Sequence, residues 1–447
     1  MYKYICLVFF GLIITTSIIA QEEVPSLNTY EVVLAVSAQP STAQAPPKAG
    51  KFVLGGYGEA VAQRMWYTDD VARYAYPETH KGDTHGRFDL PHVVLYMGYE
   101  FGKGWRLSSE IEFEHGGSGS AYEVEYEEAG EYEHETEKGG EVALEQFWIE
   151  KTFSTKANLR MGHIIIPIGL TNAHHLPTEF FSVLRPEEES ALLPCTWHQT
   201  GISFWGLAGP LRYEALVTSG LDAERISSSE WIHGAALSPY EFEIGNAYAG
   251  AARLDYTLPK LPLRIGLSGY LGASALNSLK WKRYDNKNLK GIVAIGDLDA
   301  VFDNGKLIAR ANLLYGHLSD SYALSLTNKG LPSAGPGART NVASEVLSYY
   351  IEAGYDLLNL FHANQCGKLY LYGHYGFYDS MYGYDSRLQK QQGWYRKHIY
   401  AGGLNYYPLP QIVVKAEYTF RQFEDKYNYN NEPTLSLGIA YSGLFIK

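Results

Sequence analysis

The feature that most constrains this chain is a strict alternation of short and long connections between segments that themselves alternate residue by residue. Leu263, Ile265, Leu267 and Leu271 are interleaved with Arg264, Gly266, Ser268 and Tyr270. Ile412, Val414, Ala416, Tyr418 and Phe420 are interleaved with Lys415, Glu417, Thr419 and Arg421. Leu435, Leu437, Ile439 and Tyr441 repeat the pattern near the C-terminus. Runs of period two carry one apolar and one polar face, as strands do. Tight links fall at 102–104, 154–157, 208–210, 259–261, 303–305 and 407–410, most of them holding the Gly, Pro, Asn or Asp that turns require, and a longer link spans 358–367. Between them lie polar stretches near 64–86, 115–141, 167–198, 219–245, 274–290, 317–343, 380–395 and 423–432. Seven short links alternating with eight long ones predict 16 antiparallel strands, with both termini on the short-turn side.

Composition decides what such a sheet can be. The mean hydropathy is −0.21, too polar for a bundle of membrane helices. The net charge is −12, which argues against a nucleic-acid partner. Three cysteines exclude a disulfide-dense scaffold. At the N-terminus, Lys3 precedes the apolar run 5–19, and Ala20 meets Gln21-Glu22-Glu23, the layout of a secretory leader. Residues 1–20 therefore read as a signal peptide, and 21–50, with four prolines among Ala, Gln, Ser and Thr, as a flexible periplasmic linker. Residues 51–447 read as one all-β domain: a 16-stranded antiparallel transmembrane barrel with long extracellular loops and short periplasmic turns. Tyrosines, 37 of 447 residues, suit interfacial girdles, with Tyr96, Tyr99, Tyr256, Tyr315, Tyr355, Tyr406 and Tyr418 as candidates. A barrel of this size leaves an aqueous lumen. The polar faces supply Arg160, Arg212, Arg253, Arg264, Arg310, Lys415 and Arg421, mixed with Glu110, Glu112, Asp255, Asp297, Asp299, Glu352 and Glu417.

Two long connections carry candidate selectivity groups. Residues 114–141 hold ten Glu and one Lys, a net −9. Glu123, Glu125 and Glu127, then Glu131, Glu133 and Glu135, alternate with other residues as in a hairpin projecting beyond the membrane, and would form an acidic mouth that concentrates cations. Residues 167–198 are rich in Pro and aromatics, which favours a fixed fold that enters the lumen and narrows it. Glu179, Arg185 and the run Glu187, Glu188 and Glu189 are the constriction candidates there, with Glu187 foremost in the run. Adjacent His174 and His175 cannot readily face one ion, so no metal site is expected from the loop histidines. Cys195 and Cys366 fall on opposite sides of the predicted barrel, too far apart for a disulfide.

Leu159-Arg160-Met161-Gly162, Pro167-Ile168-Gly169, Phe180, Arg185-Pro186-Glu187, Pro194, Trp197 and Gly201 resemble the pattern of the phosphate-selective porin O and P-type proteins. The resemblance is specific over about 159–206 and implies a 16-stranded, often trimeric, outer-membrane channel whose third long loop enters the pore. It also implies anion selectivity from a basic ladder, and this sequence departs from that: its lumen charges are mixed and its 114–141 segment is acidic. The expectation is a bacterial outer-membrane porin for small hydrophilic solutes or ions, in contact with outer-membrane lipid, with a homotrimer implied by the resemblance alone, and without catalytic or cofactor-binding residues. Rival readings are a barrel-embedded enzyme, for which no nucleophile motif stands out, and a secreted carbohydrate-binding β protein.

Overall fold

The computed structural model describes residues 50–119, 123–124, 134–135, 140–237, 243–278, 289–329, 341–388 and 393–446. The expected leader, nearly all of the linker, and Glu125, Glu127, Glu131 and Glu133 of the acidic mouth lie outside the described residues. Sixteen strands form the barrel: β1 (Lys51–Met65), β2 (His92–Gly102), β3 (Trp105–Gly119), β4 (Gly140–Ser154), β5 (Ala157–Ile165), β6 (His198–Ala208), β7 (Leu211–Ser219), β8 (Tyr248–Thr257), β9 (Leu263–Ala273), β10 (Ile292–Asp303), β11 (Leu307–Leu318), β12 (Glu345–Asp356), β13 (Lys368–Gly383), β14 (Arg396–Leu409), β15 (Ile412–Gln422) and β16 (Glu432–Ile446). Each pairs antiparallel with its neighbours in sequence, and β1 closes the ring on β16 from Leu54↔Ile446 to Met65↔Thr434. Closure removes the unpaired edges that hydrocarbon would not tolerate. The turns fall where the sequence places them, down to two residues at 103–104, 155–156, 209–210 and 410–411.

The first long connection departs from expectation. It does not stay an unpaired polar stretch: His85–Asp89 forms a short extra strand on the far end of β1, in register from Val61↔Asp89 to Met65↔His85. The acidic segment retains a two-pair ladder, Glu123↔Glu135 and Val124↔His134, as a hairpin requires.

The outer face is an apolar band. Leu95, Leu144, Phe147, Ile202, Leu267, Leu298, Ile351, Leu371 and Leu437 are all exposed there. At the short-turn end it is bordered by Phe52, Tyr99, Phe101, Trp105, Phe153, Tyr256 and Tyr355, and at the long-loop end by Tyr248, Tyr315, Tyr382 and Tyr418, all exposed. Rings at those two heights bury their bodies in lipid and wet their tips. Tyr96 does not belong to a girdle; it points inward and is 3% exposed.

The inner face holds a second surprise. A polar lining throughout was expected. Instead the long-loop half is packed with an apolar cluster: Leu216, Ala249, Val293, Ile295, Leu314 and Val346 from the strands meet Ile166, Trp197, Trp231, Ile232 and Leu324 from the connections. Strands there are apolar on both faces, one turned outward and one to folded loops. Among the described residues no disulfide joins Cys195, in a long connection, to Cys366, in a short-turn link.

Candidate functional site

The connection between β5 and β6, residues 166–197, is a closed strap. Its two ends are joined by the Ile166 amide on the Trp197 carbonyl (2.9 Å). The Asn172 side chain repeats the clasp, donating to the Ile166 carbonyl and accepting from the Trp197 amide, both at 2.6 Å. Gly169, at φ 85°, turns the chain into a four-residue helix, Leu170–Ala173. The open amides of that helix are met by one carboxylate: Glu189 accepts from Leu170 (3.1 Å), Thr171 (3.0 Å) and Asn172 (2.8 Å). Glu189 itself belongs to a second short helix, Glu187–Ser190, which starts after Pro186 and carries three glutamates in its first turn. Ω-shaped connections with joined ends pack on their own side chains in this way.

The strap is moored on several sides of the barrel, which places it inside the lumen. At β8 and β9, Arg253 donates to the Gly169 carbonyl (3.2 Å) and Ser268 accepts from the Gly169 amide (3.4 Å). Across the ring at β14 to β16, Lys415 donates to the Phe180 and Ser182 carbonyls (3.0 and 2.7 Å), Asn405 to the Phe181 carbonyl (2.8 Å), and Thr178 shares a hydrogen bond with Ser442 (2.6 Å). Glu417 accepts from the Val183 amide (3.1 Å). At β13, His374 meets Glu188 (2.9 Å) and Tyr378 donates to Glu187 (2.8 Å). At β1 and β2, Leu176 packs on Tyr57 and Val94, and His175 lies edge-on to Tyr57.

The wall nearest the short turns carries a ladder of alternating charge. Glu150 on β4 is held by Arg106 of β3 and Arg160 of β5, each at 2.9 Å. Arg212 on β7 pairs with Glu214 and reaches Asp255 on β8 (3.5 Å). Arg253 joins Asp255 (2.8 Å) to Asp299 on β10 (2.7 Å), Arg264 on β9 joins Asp299 (3.3 Å), and Arg310 on β11 joins Glu352 on β12 (2.8 Å). Cross-strand pairs of this kind stabilise a sheet and neutralise each other's field.

The expected site residues therefore sort into three groups. Arg160, Arg212, Arg253, Arg264 and Arg310 line the wall, but as members of ion pairs rather than free charges. Arg253 is 1% exposed, whereas Arg212, Arg264 and Arg310 keep 13–19% of their side chains accessible. Lys415 is a mooring of the strap, capped by two carbonyls and the Phe180 ring. Of the strap residues, Glu179 lies 3.5 Å from His174, which contacts Arg264. Burial pushes the Glu179 carboxyl up to about 7. Glu187 sits on the other side, against Arg421 and Lys397. Burial would raise its carboxyl, but Arg421 and Lys397 outweigh that and hold it at about 2. Arg185 turns instead toward Tyr57, Glu145, Glu112 and Cys195. The backbones of Glu123 and Glu135 face each other across the hairpin. His174, His175 and His198 do not converge: they face Arg264, Glu110 and His163 respectively.

Sequence reasoning offered Glu189 as a constriction group, whereas it caps the strap's first helix; it missed Asn172, which clasps the strap, and Glu145. The last was hidden by a β-bulge. Glu110 pairs with Gln146 and Ile111 with Leu144, so Glu145 is the extra residue, and both Glu145 and Gln146 are buried.

No family model matches the chain. An uncharacterized protein of Aquifex aeolicus (strain VF5) is 28% identical over 382 residues, covering 83% of this chain and 80% of the relative. Among solved structures, OmpF of Salmonella typhi in complex with daunomycin superposes with a TM-score of 0.53 at 10% identity, covering 87% of this chain and 97% of that one. The outer membrane channel DcaP of Acinetobacter baumannii gives 0.52 at 14% identity, covering 89% and 100%. At these identities the likeness is one of fold.

Proposed function

We propose that this chain is a bacterial outer-membrane porin, a water-filled channel for passive diffusion of small hydrophilic solutes or ions, narrowed by the strap 166–197. The observation that carries the reading is the mooring of one loop to β8 and to β14–β16 across a closed 16-stranded ring. Partly exposed charged side chains lie on both sides of that strap: Arg212, Arg264, Arg310, His174 and Glu179 toward the short turns, Glu187, Lys397 and Arg421 toward the long loops. The route between strap and wall would run past them, with Glu179 facing the arginine row as the constriction. The likeness in fold to OmpF and to the outer membrane channel DcaP supports the same reading.

A leader at 1–20, a periplasmic linker at 21–50 and an acidic mouth at 114–141 belong to the proposal, as does a homotrimer in outer-membrane lipid, which rests on the resemblance to the phosphate-selective O and P-type porins. Phosphate selectivity does not follow from it, because the ladder sets six arginines (106, 160, 212, 253, 264, 310) against five carboxylates (150, 214, 255, 299, 352). The test is reconstitution in planar bilayers across a salt gradient. Discrete conductance steps with a small reversal potential are expected; absence of conductance from protein that runs as a folded barrel would overturn the channel.

A further inference from the structure

Between the strap and strands β1 to β4 lies a group of side chains that the channel does not need. Glu59, Glu110, Glu112 and Glu145 all point inward there, and each is no more than 6% exposed. His92 takes one oxygen of Glu112 (2.5 Å). Arg185 is the strap's guanidinium nearest the group, and its nitrogens hydrogen-bond none of these carboxylates. The same His92 stands 3.9 Å from Glu59; four carboxylates in so dry a place can be ionised only at a high cost unless a cation offsets them.

Three members of the group are arranged as ligands. One oxygen of Glu110, one oxygen of Glu145 and a ring nitrogen of His175 lie within 4.8 Å of one another, and all three residues are buried. Each carboxylate is already oriented through one oxygen: Tyr57 donates to Glu145 Oε2 (2.8 Å) and Gln146 Nε2 donates to Glu110 Oε2 (2.5 Å). That leaves Oε1 of Glu110 and Oε1 of Glu145 buried and unpartnered. Outer hydrogen bonds of this kind are what hold metal ligands in place. The independent sign comes from the strap. His175 is 2% exposed, no side chain hydrogen-bonds either ring nitrogen, and Nε2 stands 4.0 Å from Glu110 Oε2. A buried imidazole without a side-chain partner, aimed at two half-used carboxylates, lacks something that accepts from all three.

We propose that Glu110, Glu145 and His175 bind one divalent transition-metal ion of the Zn²⁺ class, pinning the strap to the barrel wall. The donor set chooses the class: one imidazole with two carboxylates suits Zn²⁺, whereas Ca²⁺ and Mg²⁺ prefer oxygen throughout. A Zn²⁺ shell has a radius of roughly 2.0–2.2 Å, so the three ligand atoms would draw together on binding. Glu110 and Glu145 come from adjacent strands, and the bulge turns Glu145 inward, so the barrel supplies a rigid half of the site and the strap closes it. The site stands apart from transport, and its test does not require a channel.

The experiment uses the folded barrel in detergent, stripped with EDTA, dialysed against dilute Zn²⁺ and assayed for bound metal by mass spectrometry. Wild type is expected to hold about one Zn²⁺ per chain, as a three-ligand site does, and His175→Ala and Glu145→Gln to lose it. His317→Ala is the control for exposed histidines and is expected to keep the ion. Each variant is first checked for the heat-dependent gel mobility of a folded barrel. Zinc retained by His175→Ala, no zinc on wild type, or Ca²⁺ bound in its place would overturn the proposal. Should neither variant fold, wild type decides: removing zinc must speed proteolysis within 166–197 and adding it back must slow it, and equal rates with and without the ion also overturn the proposal.

Discussion

Glu189→Ala should release the strap while leaving the barrel closed. The Glu189 carboxylate is fully buried and receives three backbone amides, from Leu170, Thr171 and Asn172, at 2.8–3.1 Å. Alanine removes the acceptor and strands all three donors, at about 1–3 kcal/mol for each buried group left unpaired, so about 3–9 kcal/mol in total. Every 1.4 kcal/mol is a factor of ten. Even the lower end therefore shifts the balance between docked and undocked strap by about 100-fold. The strands lose nothing, because their ladder does not pass through Glu189. Expected results are a larger and noisier single-channel conductance in planar bilayers and new protease cleavage within 166–197, on protein that keeps the gel mobility of a folded barrel. Glu189→Gln keeps one acceptor oxygen and should fall between. A conductance histogram and cleavage pattern matching wild type would refute the idea that this carboxylate holds the strap.

Three further outcomes are expected. Arg253→Met leaves Asp255 and Asp299 short of a buried partner and frees the Gly169 carbonyl; removing one side of a buried pair costs about 3–5 kcal/mol, so the thermal midpoint should fall by several degrees or more in a melting scan. The Glu179 carboxyl, raised by burial from 4.5 to about 7, is neutral below that pH and charged above it; its contribution to strap docking is full below pH 4.5 and fades as pH rises through 7. Cation preference should accordingly grow between pH 6 and 8, and Glu179→Gln should flatten the profile of reversal potential against pH. Replacing the glutamates at 123, 125, 127, 131, 133 and 135 by Gln should move the reversal potential toward anions at low salt and leave it unchanged at high salt, where screening shortens the reach of a charged mouth; no movement at low salt would mean that the segment is only a solvated rim.

The topology was legible because turn chemistry is local. Gly, Pro and Asp at 102–104, 208–210 and 303–305 mark reversals without reference to anything distant, and period-two faces follow from the pleat. The fixed fold of the strap was legible for the same reason, from its prolines. Two things were not. Inward facing was misjudged wherever register slips: the bulge at Glu145 adds a residue that no alternation rule anticipates, and with it went the cluster around Glu110 and His175. The apolar filling of the long-loop half escaped notice because Val293 and Ile295, next to Ile292 and Ala294, read as strand residues whichever way they face. What covers an inward apolar face is decided by where distant connections fold, and Trp231 and Leu324 reach it from loops far along the chain.

The ladder shows how the legible part produces the functional part. Most ladder residues stand a few positions from a tight turn: Arg106 follows the turn at 103–104, Arg212 the one at 209–210, Arg264 that at 258–262 and Arg310 that at 304–306, Asp255 and Asp299 approach the last two from the preceding strands, and Glu352 approaches the longer link at 357–367. Turns of two to five residues leave little freedom of register within a hairpin, as across 155–156, where Glu150↔Arg160 are direct partners. Arg106↔Glu150, Arg212↔Asp255 and Arg310↔Glu352 are direct partners between strands joined by long connections, so there the pairing of the closed ring sets the register. A row of charge at one level of the lumen is therefore a consequence of the tight turns and the ring's register together. The strap then buries part of that row, as at Arg253, and leaves part wet, as at Arg264 and Arg310. Lengthening one of these turns by a single residue would put a ladder member on the lipid face, and both the ion pairs and the mooring at Gly169 would go with it.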